Sequence, residues 1–423
     1  MEKPPTAAPA KILFKQGQII DPGRGLDAVA DLLVAGGRIA EIAPAIAAEG
    51  AEVVDCRGRW VVPGLVDVHC HLRDPGFEHK ETMATGTLAA ARGGFTTLVA
   101  MANVNPVPDN LGAWEKIARV INEKAVVRVI QAASVTRDLR GRDLCDMATL
   151  AAAGVRIFTD DGNFIDRAAV LYQALRLAGK LGVTLALHEE DTSLKLYWPT
   201  AYDPLSEAVA ITRDLEILRV TGGRVHFQHL STARSVELIR RAKQEGLRVT
   251  AEVCPHHLTL TKEAVTVHGT FAKMAPPLRS REDIDELLRG LEDGTIDLIA
   301  TDHAPHAADD KNATFDEAAN GILGLETALP VLLTELVHGR GYSPAWLIER
   351  LTAKPATAFD LPAGSLAPGL PADLCVIDPQ AKWRIDSSRF ASKSRNTPYH
   401  GQAVQGRVEL TFVAGKPVYD GRG

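Results

Sequence analysis

Short apolar runs separated by glycine open the chain: Lys11–Lys15, Gln18–Ile20, Asp31–Ala35, Arg38–Ile42 and Ala51–Asp55, with Gly17, Gly36-Gly37 and Gly50 among the breaks. Runs this short, broken by turn residues, predict a small antiparallel β unit. Ala372–Ile377, Val408–Ala414 and Pro417–Tyr419 have the same character at the other end. The two ends are therefore expected to meet in one discontinuous β-sandwich. Between them the pattern changes. Strand-length runs at Trp60–His69, Phe95–Ala102, Val126–Ala133, Val155–Thr159, Val183–His188, Arg224–His229, Leu247–Cys254 and Asp297–Thr301 alternate with helix-patterned stretches such as Leu171–Lys180 and Arg234–Lys243. Eight such units predict an α/β chain with a closed, parallel (β/α)8 TIM-like barrel. The expected domains are 1–62 and 367–423 for the β-sandwich and 63–366 for the barrel.

A barrel of this kind carries its chemistry on the C-terminal ends of its strands. Strand 1 ends in Val66-Asp67-Val68-His69-Cys70-His71-Leu72-Arg73-Asp74-Pro75-Gly76. Alternate strand residues share a face, so His69 and His71 point one way and Cys70 the other. Arg73 continues the alternation and would set a forked cation, suited to a carboxylate, beside them. Strand 4 ends in Asp160-Asp161-Gly162, strand 5 in His188-Glu189-Glu190, strand 6 in Gln228-His229 and strand 8 in Thr301-Asp302-His303. Any one of these has an ordinary structural reading: a histidine at a strand end often caps it, and Asp before Gly is often a turn residue. Their conjunction at one barrel mouth has no comparable explanation.

Composition narrows the chemistry. At 423 residues the chain exceeds what one compact core usually holds. A net charge of −6 and no basic block argue against a nucleic-acid surface. Five scattered cysteines without a Cys-x-x-Cys pair argue against a disulfide framework or zinc knuckle and fit a reducing cytoplasm. Residues 1–10 are Pro/Ala-rich, lack a signal-peptide core and are expected to fray, and nothing later is long enough to span a bilayer. Imidazoles and carboxylates without thiolates suit zinc or a similar divalent ion. Two close metals supply a hydroxide at neutral pH and polarise a carbonyl, and a nearby carboxylate can pass a proton to a leaving nitrogen. The expected reaction is metal-assisted hydrolysis of an amide-like bond.

The chain resembles the amidohydrolase superfamily and, within it, the type I (class I) dihydroorotases. Asp67–Gly76, Gly93–Thr97, Phe158–Gly162, His226–Thr232, Pro276–Arg279, Ala300–His306, Gly324–Pro330 and Lys393–Pro398 carry the resemblance, which spans nearly the whole sequence. It implies two zinc ions per subunit. His69, His71 and Asp302 would hold one, and His188 and His229 the other. Many amidohydrolases bridge the pair with a carboxylated lysine on strand 4. No lysine lies there, and Asp161 stands at the matching position, although spacing alone leaves Asp160 and Asp161 open. Asp302 would be general base and then acid, and His71, Arg73, Asn103 and His306 would meet the substrate. That substrate would be dihydroorotate, interconverted with N-carbamoyl-L-aspartate in pyrimidine synthesis. The resemblance also implies a possible association with aspartate transcarbamoylase or with further copies of the chain.

Several positions depart from the family pattern. Ala275 stands where an asparagine usually contacts substrate, Asn320 replaces a phenylalanine, Glu189 replaces a cysteine, Ala102 and Val104 flank Asn103 where Pro and Thr are usual, and the segment Asp191–Arg213 is short. Two alternatives follow: a hydantoinase- or allantoinase-like cyclic amidase, or a weakly active homologue serving as a structural partner of the transcarbamoylase. Among the other histidines, His226 is expected to face outward, His303 to be structural, and His256 and His257 to cap or hydrogen-bond. His79, His268, His338 and His400 are expected on surfaces or loops.

Overall fold

A computed structural model describes residues 11–195 and 204–422; the expected fraying of residues 1–10 lies outside the described residues. Its strands are β1 (Lys11–Asp21), β2 (Leu26–Ala35), β3 (Arg38–Ala43), β4 (Glu52–Asp55), β5 (Trp60–Pro63), β6 (Leu65–Cys70), β7 (Phe95–Ala100), β8 (Arg128–Gln131), β9 (Ile157–Thr159), β10 (Thr184–Leu187), β11 (Val225–Phe227), β12 (Val249–Val253), β13 (Leu298–Ile299), β14 (Leu374–Arg384), β15 (Ala403–Val413) and β16 (Lys416–Asp420).

The two chain ends form one hydrogen-bonded sheet in the order β16-β15-β14-β5-β1-β2-β3, with β4 also on β1. The join is the antiparallel pair of β5 and β14, from Trp60 opposite Ile377 to Pro63 opposite Leu374. Gly36 and Gly37, at φ 56° and 77°, turn β2 into β3, with Ala35 opposite Arg38. Two successive positive φ values match the twist of a tight hairpin, and glycine adopts them without a steric penalty. Phe14, Leu32, Val61, Leu374, Val376 and Phe412 pack into one apolar cluster, with the Phe14 and Phe412 rings edge-on at 5.1 Å.

The middle of the chain is parallel. One sheet runs β6-β7-β8 and another β13-β12-β11-β10-β9. Isolated parallel bridges, Ala133 with Phe158 and Cys70 with His303, link the edges of the two sheets. Every residue of β6, β7 and β10 is buried, as expected where helices cover one face and apolar side chains fill the other. Val66, Val68, Val99, Ala186, Leu298 and Ala300 provide that filling, together with Phe359.

Helices follow the strands and are anchored locally. Leu171–Lys180 and Arg234–Lys243 fall within the helices Ala168–Leu181 and Ala233–Gln244. The helix Arg281–Asp293 starts at a capping box of Ser280 and Asp283 and buries Ile284, Leu287, Leu288 and Leu291 on one stripe. Among the described residues, no helix is long and apolar enough to cross a membrane.

One expectation is corrected here. The run Trp60–His69 is two strands rather than one. At Gly64 the backbone changes sheets: Gly64 N donates to Asp373 O at 2.9 Å, and Leu65 N donates to Gly94 O at 2.9 Å. An unbroken apolar run cannot reveal such a change of partner. A β-carbon at Gly64 would collide with the Thr96 side chain. Gly64→Ala is therefore expected to destabilise the protein by roughly 1–3 kcal/mol, the usual scale for overpacking. A lowered midpoint in thermal or urea unfolding checks this, and an unchanged midpoint contradicts it.

Candidate metal centre and active site

The strand ends bring the expected residues together. His69 lies in β6 and His71 just beyond it, held by His71 N donating to His303 O at 2.9 Å. Both Nε2 atoms face the same carboxylates, while Cys70 packs outward with Met83 and Ala89. His69 Nε2 is 3.3 Å from Asp161 Oδ1 and 3.5 Å from Asp302 Oδ1. His71 Nε2 is 3.1 Å from Asp302 Oδ1 and 3.4 Å from Asp161 Oδ2. His188 Nδ1 and His229 Nε2 lie 3.6 Å and 3.7 Å from Asp161 Oδ1 and 2.8 Å from each other.

The two adjacent aspartates point in different directions. Asp160 turns away and accepts from Val135 N, Thr136 N and the Thr136 hydroxyl. Asp161 faces the imidazoles. His229 and Asp302 have φ of 35° and 46°, in the left-handed region that non-glycine residues rarely occupy. Such strain gathers at functional sites, where the surrounding structure holds it in place.

These spacings fit an ion. Atoms sharing one zinc at about 2.1 Å stand roughly 3–3.5 Å apart. His69, His71 and Asp302 form one buried group able to hold a cation, and His69, Asp161 and His229 form another. His69 Nε2 and Asp161 Oδ1 are buried and have no hydrogen-bond partner. The electrostatics agree. Burial opposes a charged imidazole, yet Asp161, Glu252 and Asp302 pull His69 well above its usual range. Burial would raise Asp161 and Asp302, but the charge of His69 and the other imidazoles close by hold both well below theirs. Positive charge is favoured at this spot.

Glu252, in β12, is a residue that sequence reasoning missed. Its carboxylate lies 2.5 Å from His69 Nδ1 and 2.9 Å from His226 Nε2, and accepts from His229 N at 3.2 Å. With Nδ1 donating to Glu252, the His69 ring is fixed with Nε2 toward Asp161 and Asp302. Burial would raise the Glu252 pKa, but His69 and His226 bring it down to about 2. The available signal was a glutamate inside the apolar run Leu247–Cys254. Asp67 was missed similarly. It is buried and accepts from Thr301 N at 2.8 Å and Thr301 Oγ1 at 2.6 Å, tying β6 to the end of β13.

His226 also corrects an expectation. It points into the barrel-side core, with Nδ1 2.8 Å from Thr250 Oγ1 and its ring 4.7 Å from Phe359. Strict alternation put it opposite His229. The left-handed backbone at His229 breaks that alternation, so both rings turn inward. His303 is buried, with Nδ1 accepting from Gly324 N at 3.1 Å. His257 Nε2 donates to Pro276 O at 2.9 Å, and Cys254, His256 and His257 form a further buried group of donor atoms.

A cavity of about 240 Å³ opens above these residues. His71, Arg73, Asn103 and His306 all line it, and so do Ala275 and Asn320. Asn103 Oδ1 is 2.8 Å from His71 Nδ1, which leaves His71 Nε2 turned to the carboxylates. Arg73, at φ 61°, donates through Nε to Pro305 O at 3.2 Å. His306 Nε2 donates to Asn320 O at 2.8 Å. Burial, then the charges of Arg73 and Lys80, pull the His306 pKa down to about 3, so it is neutral. The arrangement offers cation ligands, a carboxylate able to move a proton, and a forked cation for an anion.

Comparison with known proteins agrees with the geometry. The Dihydro-orotase-like family profile matches residues 58–197. Proteins named dihydroorotase from Pelotomaculum thermopropionicum and Listeria monocytogenes are each 43% identical to the chain, covering 97% and 96% of it and 99% and 98% of their own lengths. Among solved structures, L-hydantoinase (dihydropyrimidinase) from Arthrobacter aurescens superposes with a TM-score of 0.89 at 28% identity, over 97% of this chain and 96% of that one. Dihydropyrimidinase from Brevibacillus agri shares the fold, with a TM-score of 0.88 at 24% identity, over 97% and 95% of the two chains. With relatives this similar along almost its entire length, the chain belongs to the dihydroorotase family of the amidohydrolase superfamily.

Proposed function

We propose that the protein is a zinc-dependent dihydroorotase. It reversibly hydrolyses the cyclic amide of (S)-dihydroorotate to N-carbamoyl-L-aspartate, a step in the synthesis of UMP in the cytoplasm. The observation that carries this reading is the convergence of His69, His71, Asp161, His188, His229 and Asp302 at donor separations of 2.8–3.7 Å. The linking bridges support closure of β6–β13 into a (β/α)8 barrel over 63–366. The sheet that joins β1–β5 to β14–β16 would then be the β-sandwich domain expected over 1–62 and 367–423.

His69, His71 and Asp302 would hold one zinc, and His188 and His229 a second, with Asp161 a candidate ligand to either: its Oδ1 faces His69, His188 and His229, and its Oδ2 faces His71. When bound, zinc acts as a Lewis acid that makes water a better nucleophile and a carbonyl a better electrophile. Asp302 takes the proton of the attacking water. The water oxygen bonds to the ring carbonyl carbon, the carbon–nitrogen bond breaks, and Asp302 returns the proton to the departing nitrogen. Protonation is what makes an amide nitrogen able to leave. Arg73 receives the substrate carboxylate through its planar fork, beside neutral His306 and Asn103. Glu252 fixes the tautomer and direction of His69.

A second reading, a hydantoinase-like cyclic amidase, is favoured by Ala275 and Asn320 in the cavity wall and by the hydantoinase neighbours. Turnover of a hydantoin or allantoin ring in preference to dihydroorotate would select it. Association with aspartate transcarbamoylase or with another copy of the chain belongs to the proposal as well, and co-purification tests it.

Zinc-loaded protein is expected to hydrolyse dihydroorotate, to lose activity with a chelator and to regain it with zinc. Asp302→Ala is expected to lower kcat at least 10²–10⁴-fold, the scale of a general acid–base group; near-normal turnover in that variant would exclude the proton transfer. Glu252→Gln is expected to weaken zinc binding about 10–100-fold, measured by competition with a chromogenic chelator. Unchanged zinc affinity would remove Glu252 from the account.

A further inference from the structure

The far wall of the cavity is built from two irregular loops, one carrying Ala304 and His306 and the other Asn320 and Gly321. Ala304 N donates to Ile322 O at 2.8 Å, and other carbonyls of the second loop are held by side chains. Lys311 is 1% exposed, and its Nζ donates to Lys273 O at 3.2 Å, Ala319 O at 2.7 Å and Gly321 O at 3.0 Å. Lys273 Nζ donates to Asp316 O at 2.9 Å and Ala318 O at 2.7 Å. Two lysines thus grip the carbonyls of residues 316, 318, 319 and 321. Asn396 closes the same knot, giving Nδ2 to Ala304 O at 2.9 Å and Gly321 O at 3.1 Å.

Burying an ammonium without a carboxylate is costly, and Lys311 is tolerated because its three hydrogens meet three carbonyls. Its chain neighbour Asp310 turns instead to Lys80 at 3.2 Å and to Ala307 N at 2.9 Å. Burial, then the charge of Lys273, pulls the Lys311 pKa down to about 7, the mark of a poorly solvated amine. Packing alone would be served more cheaply by an apolar residue. What Lys311 supplies is a fixed path for the backbone at Asn320, whose carbonyl holds His306 at the substrate end of the cavity.

We propose that Lys311 is a positioning residue for substrate binding: it pins the Asn320–Gly321 wall and, through the Asn320 carbonyl, sets His306 against the ring and carboxylate of the bound substrate. This rests on the dihydroorotase reading. Lys311 touches neither substrate nor the candidate zinc ligands, so its loss acts on affinity rather than on chemistry.

The test measures steady-state kinetics on zinc-loaded wild-type protein, Lys311→Met and Lys311→Gln, together with zinc content and thermal midpoint. Methionine fills the space without donors; glutamine keeps two. Lys311→Met is expected to raise KM for dihydroorotate on the order of tenfold, with kcat within about threefold and zinc content unchanged, the pattern of lost binding rather than lost chemistry. Lys311→Gln is expected to recover part of that loss, and its KM stays above the wild-type value if the methionine chain does not fold. A KM equal to wild type in the folded variants, or a fall in kcat and zinc content with KM unmoved, overturns the proposal. A wild-type chain that fails to turn over dihydroorotate overturns the functional reading instead, so the two failures are distinct.

Discussion

The structure depends on packing two carboxylates and four imidazoles, drawn from the ends of β6, β9, β10, β11 and β13, into one buried space. Bare carboxylates taken out of water are unstable, and so are imidazoles crowded nitrogen to nitrogen. A divalent ion resolves both, because it turns each lone pair toward a shared positive centre. Burial opposes charge on His69, yet Asp161, Glu252 and Asp302 raise it well above its usual range, the same demand for positive charge.

Parallel strands suit this task because each delivers its C-terminal end to the same side, so residues far apart in sequence become neighbours. The delivery is not passive. His229 and Asp302 sit in left-handed backbone, and the cost of that conformation is met by the supports beneath them. Glu252 binds His69, His226 and the His229 backbone at once, and Asp67, in β6, accepts from the backbone and hydroxyl of Thr301 just past β13. Glu252 aims the rings of His69 and His226, and Asn103 that of His71.

That these histidines and aspartates would meet was legible because each ends an apolar run, and so many such ends at once have no ordinary structural reading. The parallel central strands and the meeting of the two chain ends were legible from the change in run length and spacing at either side of the central region, but the parallel pairing of β1 with β4 and β5 was not, because run length does not reveal strand direction. Glu252 and Asp67 were hidden because they lie inside runs that otherwise read as plain core, and a buried acid announces itself only when its histidine partner is in view. His226 was misread because two-residue periodicity holds only while the backbone stays extended, and it ends at His229. Gly64 was hidden because a change of sheet leaves no mark on hydrophobicity. Lys311 was invisible because its partners are backbone carbonyls, which any sequence provides.

Ala275 and Asn320 fall in the cavity wall, above the buried histidines and aspartates able to hold a cation. The candidate site therefore divides into a cation-facing floor and a wall held by Lys311, Lys273 and Asn396. The floor is tested most directly by anomalous X-ray scattering at the zinc edge from zinc-grown crystals. Two peaks are predicted, one among His69, His71 and Asp302 and one beside His188 and His229, with Asp161 between them. Absence of anomalous density there, or zinc found instead at Cys254, His256 and His257, would contradict the account.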